Sequence, residues 1–210
     1  MEFWNDIATD KSWKVLINLT KKYDFVIIGG WATYLLTKAI KSKDIDIVVD
    51  FEELEKFKMD FNLKKNIHLK KYEAIKDDIS IDIYVPFFSE LIIPAEDMIK
   101  NTISVQGIKI VRPELLLILK QQAEFERKDS IKGLKDRVDI LNIIINSEID
   151  LKKYFTFIKK YNLKKYPKRL IDITQTSKKE FEYLGVKNPR KIKLIKKDLI
   201  KKLKERDGKK

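Results

Sequence analysis

The chain has no cysteine and a single histidine, His68, among 210 residues. The first absence excludes disulfides and cysteine-ligated zinc. The second leaves a Ser-His-Asp triad only one candidate base, and any zinc site would need three or more carboxylate ligands. No apolar run reaches the roughly 20 residues that a membrane-spanning helix needs, so no membrane span is expected. The opening stretch, MEFWNDIATD, lacks a basic segment followed by an apolar one. No signal peptide is therefore expected, and the chain is expected in the cytoplasm. Glycine and proline are scarce, at 6 and 5 residues, so the adjacent pair Gly29-Gly30 stands out as more than filler.

Hydrophobic residues make up 44% and charged residues 37% of the chain, a balance that excludes wholesale disorder and allows a sizeable core. The net charge of +13 is unevenly placed. Residues 151–210 hold 22 Lys or Arg against 6 Asp or Glu, whereas residues 1–150 hold 23 against 26. All the excess positive charge thus lies in the last third. This asymmetry fits an acidic, catalytic part joined to a basic part that meets a polyanion; it fits equally a lysine-rich, solvated helical surface.

Hydrophobic spacing predicts the elements. Residues 2–22 place Phe3, Trp4, Ile7, Trp13, Val15, Leu16 and Leu19 at close to helical spacing. A short strand follows over Asp24–Ile28, then a helix from Gly30 to Ile40. Asp44–Asp50 alternates, with Ile45, Ile47 and Val49 on one face and Asp44, Asp46, Val48 and Asp50 on the other. Phe51–Asp60 reads as a helix capped by Asp50. Two strands, His68–Ile75 and Ile79–Val85, are joined by a turn at Lys76-Asp77-Asp78, and Pro86 ends the second. A short helix over Pro94–Asn101 precedes a strand over Ile103–Val111 that turns at Gly107. From Pro113 onward the pattern is helical, with helices beginning at Pro113 and over Ile131–Asn146, Leu151–Lys160, Arg169–Ser177 and Pro189–Glu205. The expected organisation is α+β: a mixed sheet with flanking helices in residues 1–112, a basic helical domain in 113–206, and a frayed tail at 207–210.

Chemistry concentrates in FVIIGGWATYLLTKAIKSKDIDIVVD, residues 25–50. Asp44 and Asp46, two apart on a strand, present their carboxylates on one face. Asp82 lies on the polar face of another alternating strand. If the two strands are neighbours, three carboxylates converge and repel one another, an arrangement that a divalent cation such as Mg²⁺ offsets. Gly29-Gly30, at a strand end and a helix start, lets backbone approach a ligand and offers helix N–H groups to phosphate. Taken singly, a glycine pair also makes a tight turn and an Asp-x-Asp also makes a solvated face; the ordered combination is far more specific.

These residues carry a resemblance to the nucleotidyltransferase superfamily that includes DNA polymerase beta. Its members share a glycine pair, a D-x-D on the next strand and a third acidic residue on a later strand. The matches here are GGWA at Gly29–Ala32, DID at Asp44–Asp46, and Asp82 within IDIYV. The GGWA form looks like the aminoglycoside and lincosamide nucleotidyltransferases, and like the abortive-infection nucleotidyltransferases that act as toxins beside an antitoxin. The latter group carries a helical motif of the kind K…A…R…KD..D, which Lys120, Ala123, Arg127, Lys135, Asp136 and Asp139 resemble. Ser42 and Lys43 resemble a family R-x-T-R-D stretch, although Ile40 stands where an arginine is common. Trp31 stands where many members have a serine, so backbone N–H groups replace a hydroxyl there.

The resemblance implies transfer of a nucleoside monophosphate from an NTP to an acceptor hydroxyl. It implies Mg²⁺ or Mn²⁺ held by Asp44, Asp46 and Asp82, with Asp82 also taking the acceptor's proton. Gly29, Gly30, Trp31, Ser42, Lys43, Lys120 and Arg127 are the expected nucleotide contacts. The basic last third favours RNA, such as a tRNA end, as acceptor. Within it Ile192, Ile195, Leu199 and Leu203 form one apolar stripe among lysines, and Tyr154, Phe155, Phe157, Tyr161 and Tyr166 either stack on bases or pack a core. A small-molecule or protein acceptor, a membrane-surface helix, and an inactive module that binds nucleic acid remain alternatives. An antitoxin protein is a further expected partner.

Overall fold

The structure is a computed structural model that describes residues 5–206. The chain divides after Arg112 into two compact units, the second beginning at Pro113. Phe3 and Trp4, and the frayed tail expected at 207–210, lie outside the described residues.

The first unit opens with helix α1 (Asp6–Thr20), capped by the Asn5 side chain, which accepts the Ile7 N–H at 2.8 Å. Val15, Leu16 and Leu19 are its buried stripe, whereas Ile7 in the first turn is exposed. Strand β1 (Val26–Ile27) leads into helix α2 (Gly29–Thr37). That helix ends before the expected Ile40 because Lys38 turns left-handed at φ 58° and donates its N–H to the Tyr34 carbonyl. Strand β2 (Ile45–Val48) and helix α3 (Phe51–Asp60) follow, and the Asp50 carboxylate accepts the Glu53 N–H at 2.8 Å as the expected cap.

Three more strands come next: β3 (Lys64–Asn66), β4 (Lys71–Lys76) and β5 (Ile79–Tyr84). The β4–β5 turn is Asp77-Asp78, with φ of 50° and 62°. Consecutive positive φ is the conformation whose twist matches a two-residue hairpin, and aspartate tolerates it. Helix α4 (Ala95–Lys100) precedes β6 (Thr102–Val105) and β7 (Ile108–Val111). These two form a second hairpin about Gln106-Gly107, so the stretch expected as a strand turning at Gly107 is two antiparallel strands.

All seven strands form one mixed sheet in the order β3-β4-β5-β2-β1-β7-β6. Strand β2 lies between antiparallel β1 and parallel β5. Ile45, Ile47, Ile81 and Ile83 are fully buried on one face of this central region. Packing of that face is what fixes which way the intervening aspartates point, since a one-residue slip would invert both sets.

The second unit is helical: α5 (Pro113–Arg127), α6 (Ile131–Asn146), α7 (Leu151–Lys160), α8 (Tyr166–Thr176), α9 (Lys179–Tyr183) and α10 (Pro189–Arg206). Ser130 and Asp150 cap α6 and α7 through their side chains. Among the described residues, no helix is long and apolar enough to cross a membrane.

Candidate active site

Parallel pairing of β2 with β5 places Ile45 opposite Ile81, Asp46 opposite Asp82 and Ile47 opposite Ile83. The condition left open by the sequence, adjacency of the two aspartate-bearing strands, is therefore met. In-register residues of neighbouring strands share a face, so Asp46 and Asp82 stand side by side, opposite to the buried isoleucines. Both are half-buried, as is Asp44.

The glycine pair is built against these carboxylates. Gly29 has φ +64°, and a Cβ placed on it would lie 2.1 Å from Oδ2 of Asp46. No side chain longer than hydrogen fits, and the left-handed backbone disfavours one as well. The Ile28 N–H donates to the Asp46 carbonyl at 3.0 Å, which pins the junction before α2 to the centre of β2. Ile28 occupies the N-cap position of α2 and supplies no side-chain acceptor. The positive end of α2 thus begins beside Asp46, a setting suited to an anionic ligand.

The Trp31 side chain is taken up by the core. Its indole is fully buried, donates to the Ser12 hydroxyl at 2.9 Å and packs against Trp13 at 5.0 Å and Tyr34 at 5.5 Å. Ser42 is buried and Lys43 half-buried in the segment that leads to Asp44.

Two residues missed in the sequence complete the picture. Glu73 on β4 lies opposite Asp82, and Lys71 lies two residues before it. The Lys71 ammonium sits 2.6 Å from Oδ2 of Asp82 and 3.3 Å from Glu73. Burial lifts the Asp82 carboxyl above the usual carboxylate range; Lys71 pulls it down, while Glu73 and Asp44 push it up again. Burial also works against the Lys71 charge, but Asp82 and Glu73 outweigh it and hold that amine above its ordinary value. The hairpin turn could have revealed both: a two-residue loop at Asp77-Asp78 sets the register that puts Glu73 against Asp82.

Lys120 and Arg127 belong to the second unit, where α6 carboxylates hold them. Lys120 is buried, with its ammonium 2.6 Å from Asp139. Arg127 donates two hydrogen bonds to Asp136, at 2.7 and 3.0 Å. Lys135 also reaches Asp139, at 3.0 Å. Lys120 and Arg127, seven residues apart on α5, both meet carboxylates of α6.

A divalent cation is the group that the resemblance implies here. Asp44, Asp46 and Asp82 offer oxygen donors only, the set that Mg²⁺ and Mn²⁺ prefer. The drawing of a lysine ammonium onto Asp82 shows that this carboxylate attracts a cation. Among the described residues, no group of three or more acidic or histidine side chains forms a ready metal cage. By donor chemistry, Asp44, Asp46 and Asp82 fit such an ion.

No protein-family model matches the chain, nor does any curated protein sequence. Similarity emerges from structure. JHP933 from Helicobacter pylori superposes with a TM-score of 0.51 at 16% identity, over 97% of this chain and 96% of that one. A second H. pylori structure, assigned as a nucleotidyltransferase, superposes with a TM-score of 0.50 at 16% identity, over 96% and 98% of the two chains. The fold is that of a nucleotidyltransferase. Both alignments span nearly the whole chain, so the helical unit is part of the likeness as well as the sheet. Within the nucleotidyltransferase fold, the Gly29–Asp46 contact and the Asp46–Asp82 pair come from this chain's own geometry.

Proposed function

We propose that the protein is a metal-dependent nucleotidyltransferase that moves a nucleoside monophosphate from an NTP to an acceptor hydroxyl, with RNA as the acceptor. The observation that carries this reading is the in-register pairing of Asp46 with Asp82, beside a backbone position, Gly29, where only glycine fits against the Asp46 carboxylate. A site of this form needs little covalent chemistry from the protein; it positions groups and balances charge.

Asp44 and Asp46, with Asp82, are the residues that would hold Mg²⁺ or Mn²⁺. When bound, the ion supplies positive charge to the phosphates and to the acceptor oxygen. Asp82 accepts the proton of the acceptor hydroxyl. The acceptor oxygen then bonds to the α-phosphorus, the bond from that phosphorus to the bridging oxygen breaks, and its electron pair leaves with pyrophosphate. The N–H groups at the start of α2 orient the phosphates.

RNA is favoured by the basic second unit. On α10, Arg190, Lys191, Lys193, Lys197, Lys201 and Lys204 are exposed, while Leu199 and Leu203 anchor the opposite side. A solvated row of this kind contacts phosphate backbone without regard to sequence. Tyr154 and Tyr166 are taken by the core, where their hydroxyls donate to Gln121 and Gln122. Phe157 and Tyr161 are half-buried and stacked on each other at 6.2 Å.

The test is incubation of the protein with each of four labelled NTPs, Mg²⁺ or Mn²⁺, and total cellular RNA. Label entering RNA with one nucleotide is the expected result. NTP binding without RNA labelling would turn the search to small-molecule or protein acceptors; no NTP binding at all would leave a nucleic-acid-binding module. A toxin-type enzyme paired with an antitoxin protein would arrest growth when expressed alone, and its Asp46→Ala variant would not.

A further inference from the structure

Across four strands, register lines up Asp46 on β2, Asp82 on β5, Glu73 on β4 and Lys64 on β3. Adjacent in-register residues share a face, so one polar row runs from the candidate metal carboxylates to the sheet edge. Only the first two members belong to the motif discussed above. Lys71, one place along β4 on the same face, reaches diagonally into the row and bridges Asp82 and Glu73. Its side chain is 13% exposed, against 22% for Asp82 and 28% for Glu73. Asn66 on β3 donates to the same Glu73 oxygen at 3.0 Å, so that carboxylate is held in place from the edge side.

This arrangement addresses the problem posed by converging carboxylates. Asp44, Asp46 and Asp82 repel one another when no divalent ion lies among them. A half-buried ammonium on Asp82 relieves the repulsion, but it also occupies an oxygen that a metal would need. Glu73 gives that ammonium a second partner 3.3 Å away, on the side of Lys71 served by β3 and β4.

We propose that Lys71 is a positioning residue that stands in for the divalent cation at Asp82 and transfers its contact to Glu73 when the ion arrives. Lys71 and the metal then compete for one carboxylate, and Glu73 sets how readily Lys71 yields. The two side chains control metal affinity in opposite directions. Lys71→Met removes the competitor and keeps the length of the side chain. Glu73→Gln removes the alternative partner and leaves Lys71 committed to Asp82.

The inference rests on the reading of Asp44, Asp46 and Asp82 as metal ligands. The experiment is calorimetric titration of Mn²⁺ into the full-length chain without nucleotide, for wild type, Lys71→Met, Glu73→Gln and Asp46→Ala, each with its melting temperature. Lys71→Met is expected to bind Mn²⁺ about tenfold tighter, the order expected when one like charge leaves a half-buried site. It is also expected to melt lower without metal and to recover when Mn²⁺ is added. Glu73→Gln is expected to bind several-fold more weakly. A purely structural role for the pair would lower both melting temperatures and shift both affinities in the same direction or neither, and that result would overturn the proposal. Loss of binding in Asp46→Ala with no change in Lys71→Met would reject the role of Lys71 alone. Absence of Mn²⁺ binding in wild type and Lys71→Met alike would reject the metal site and this inference with it.

Discussion

The two units handle buried charge in opposite ways. In the helical unit, Asp136, Asp139 and Glu124 are 1% exposed or less, and each is met by more than one cation. Lys120 and Lys135 close on Asp139, Arg127 on Asp136, and Arg137 and Arg169 on Glu124. In the α/β unit, Asp44, Asp46 and Asp82 are half-buried, and Lys71 bridges Asp82 to a fourth carboxylate, Glu73. A carboxylate surrounded by cations fixes a structure. A row of carboxylates left partly solvated is an arrangement that costs stability and suits a ligand.

The sharpest break of this comparison is Asp46→Asn. The expected result is a fall in nucleotidyl transfer of about 10²–10³-fold or more, the scale of losing one main electrostatic contributor. The melting temperature is expected to hold or rise, because a repelling charge has gone. Asp139→Ala should do the reverse. It leaves Lys120 and Lys135 buried with their main partner removed, so urea denaturation should show a loss of about 3–5 kcal/mol. Equal stability losses in the two variants would erase the distinction between the units.

Gly29→Ala comes next. The left-handed backbone costs about 1–2 kcal/mol for a residue with a Cβ, and the added carbon would press on Oδ2 of Asp46. Activity should therefore fall further than stability, which parallel rate and denaturation measurements would separate. Alanine tolerated in both would mean that Asp46 does not sit where the geometry puts it.

The smallest effect is in pH. For Glu180, burial alone would raise the carboxyl, but hydrogen bonds from Arg137 and from backbone N–H groups outweigh it and lower it below 4.5. The folded state then binds this proton more weakly than the unfolded chain does. The contribution is present above pH 4.5 and lost as pH falls through the lowered folded value. Glu180→Gln should lower the neutral plateau of a stability–pH curve and flatten its acid limb, leaving stability below the lowered folded value little changed.

What was legible followed local signals. The helices Phe51–Asp60, Ile131–Asn146 and Leu151–Lys160 have the bounds that periodicity gives, and each has an Asp or Ser cap at its start. Strand β5 was readable from the alternation of Ile79, Ile81 and Ile83. Strand β3 was not: it is three residues, Lys-Lys-Asn, at an edge with nothing apolar to bury. The five-residue helix α9 was too short for a period to show, with Phe181 as its one fully buried apolar side chain. The burial of Lys120, Lys135 and Asp139 was equally hidden, because these residue types are almost always exposed unless paired. At the site, Asp44, Asp46, Asp82 and the glycines could be picked out by type and spacing. Their convergence could not, since it depends on the non-local pairing of β2 with β5.

The central claim is that Asp46 and Asp82 act together on a nucleotide, and one comparison tests it most directly. Transfer of label from an NTP into RNA would be measured for wild type, Asp46→Ala and Asp82→Ala, with Mg²⁺, with Mn²⁺ and with chelator. The account predicts label with wild type and metal only, and none with either variant. Label that persists in both variants, or that is indifferent to chelator, would contradict it.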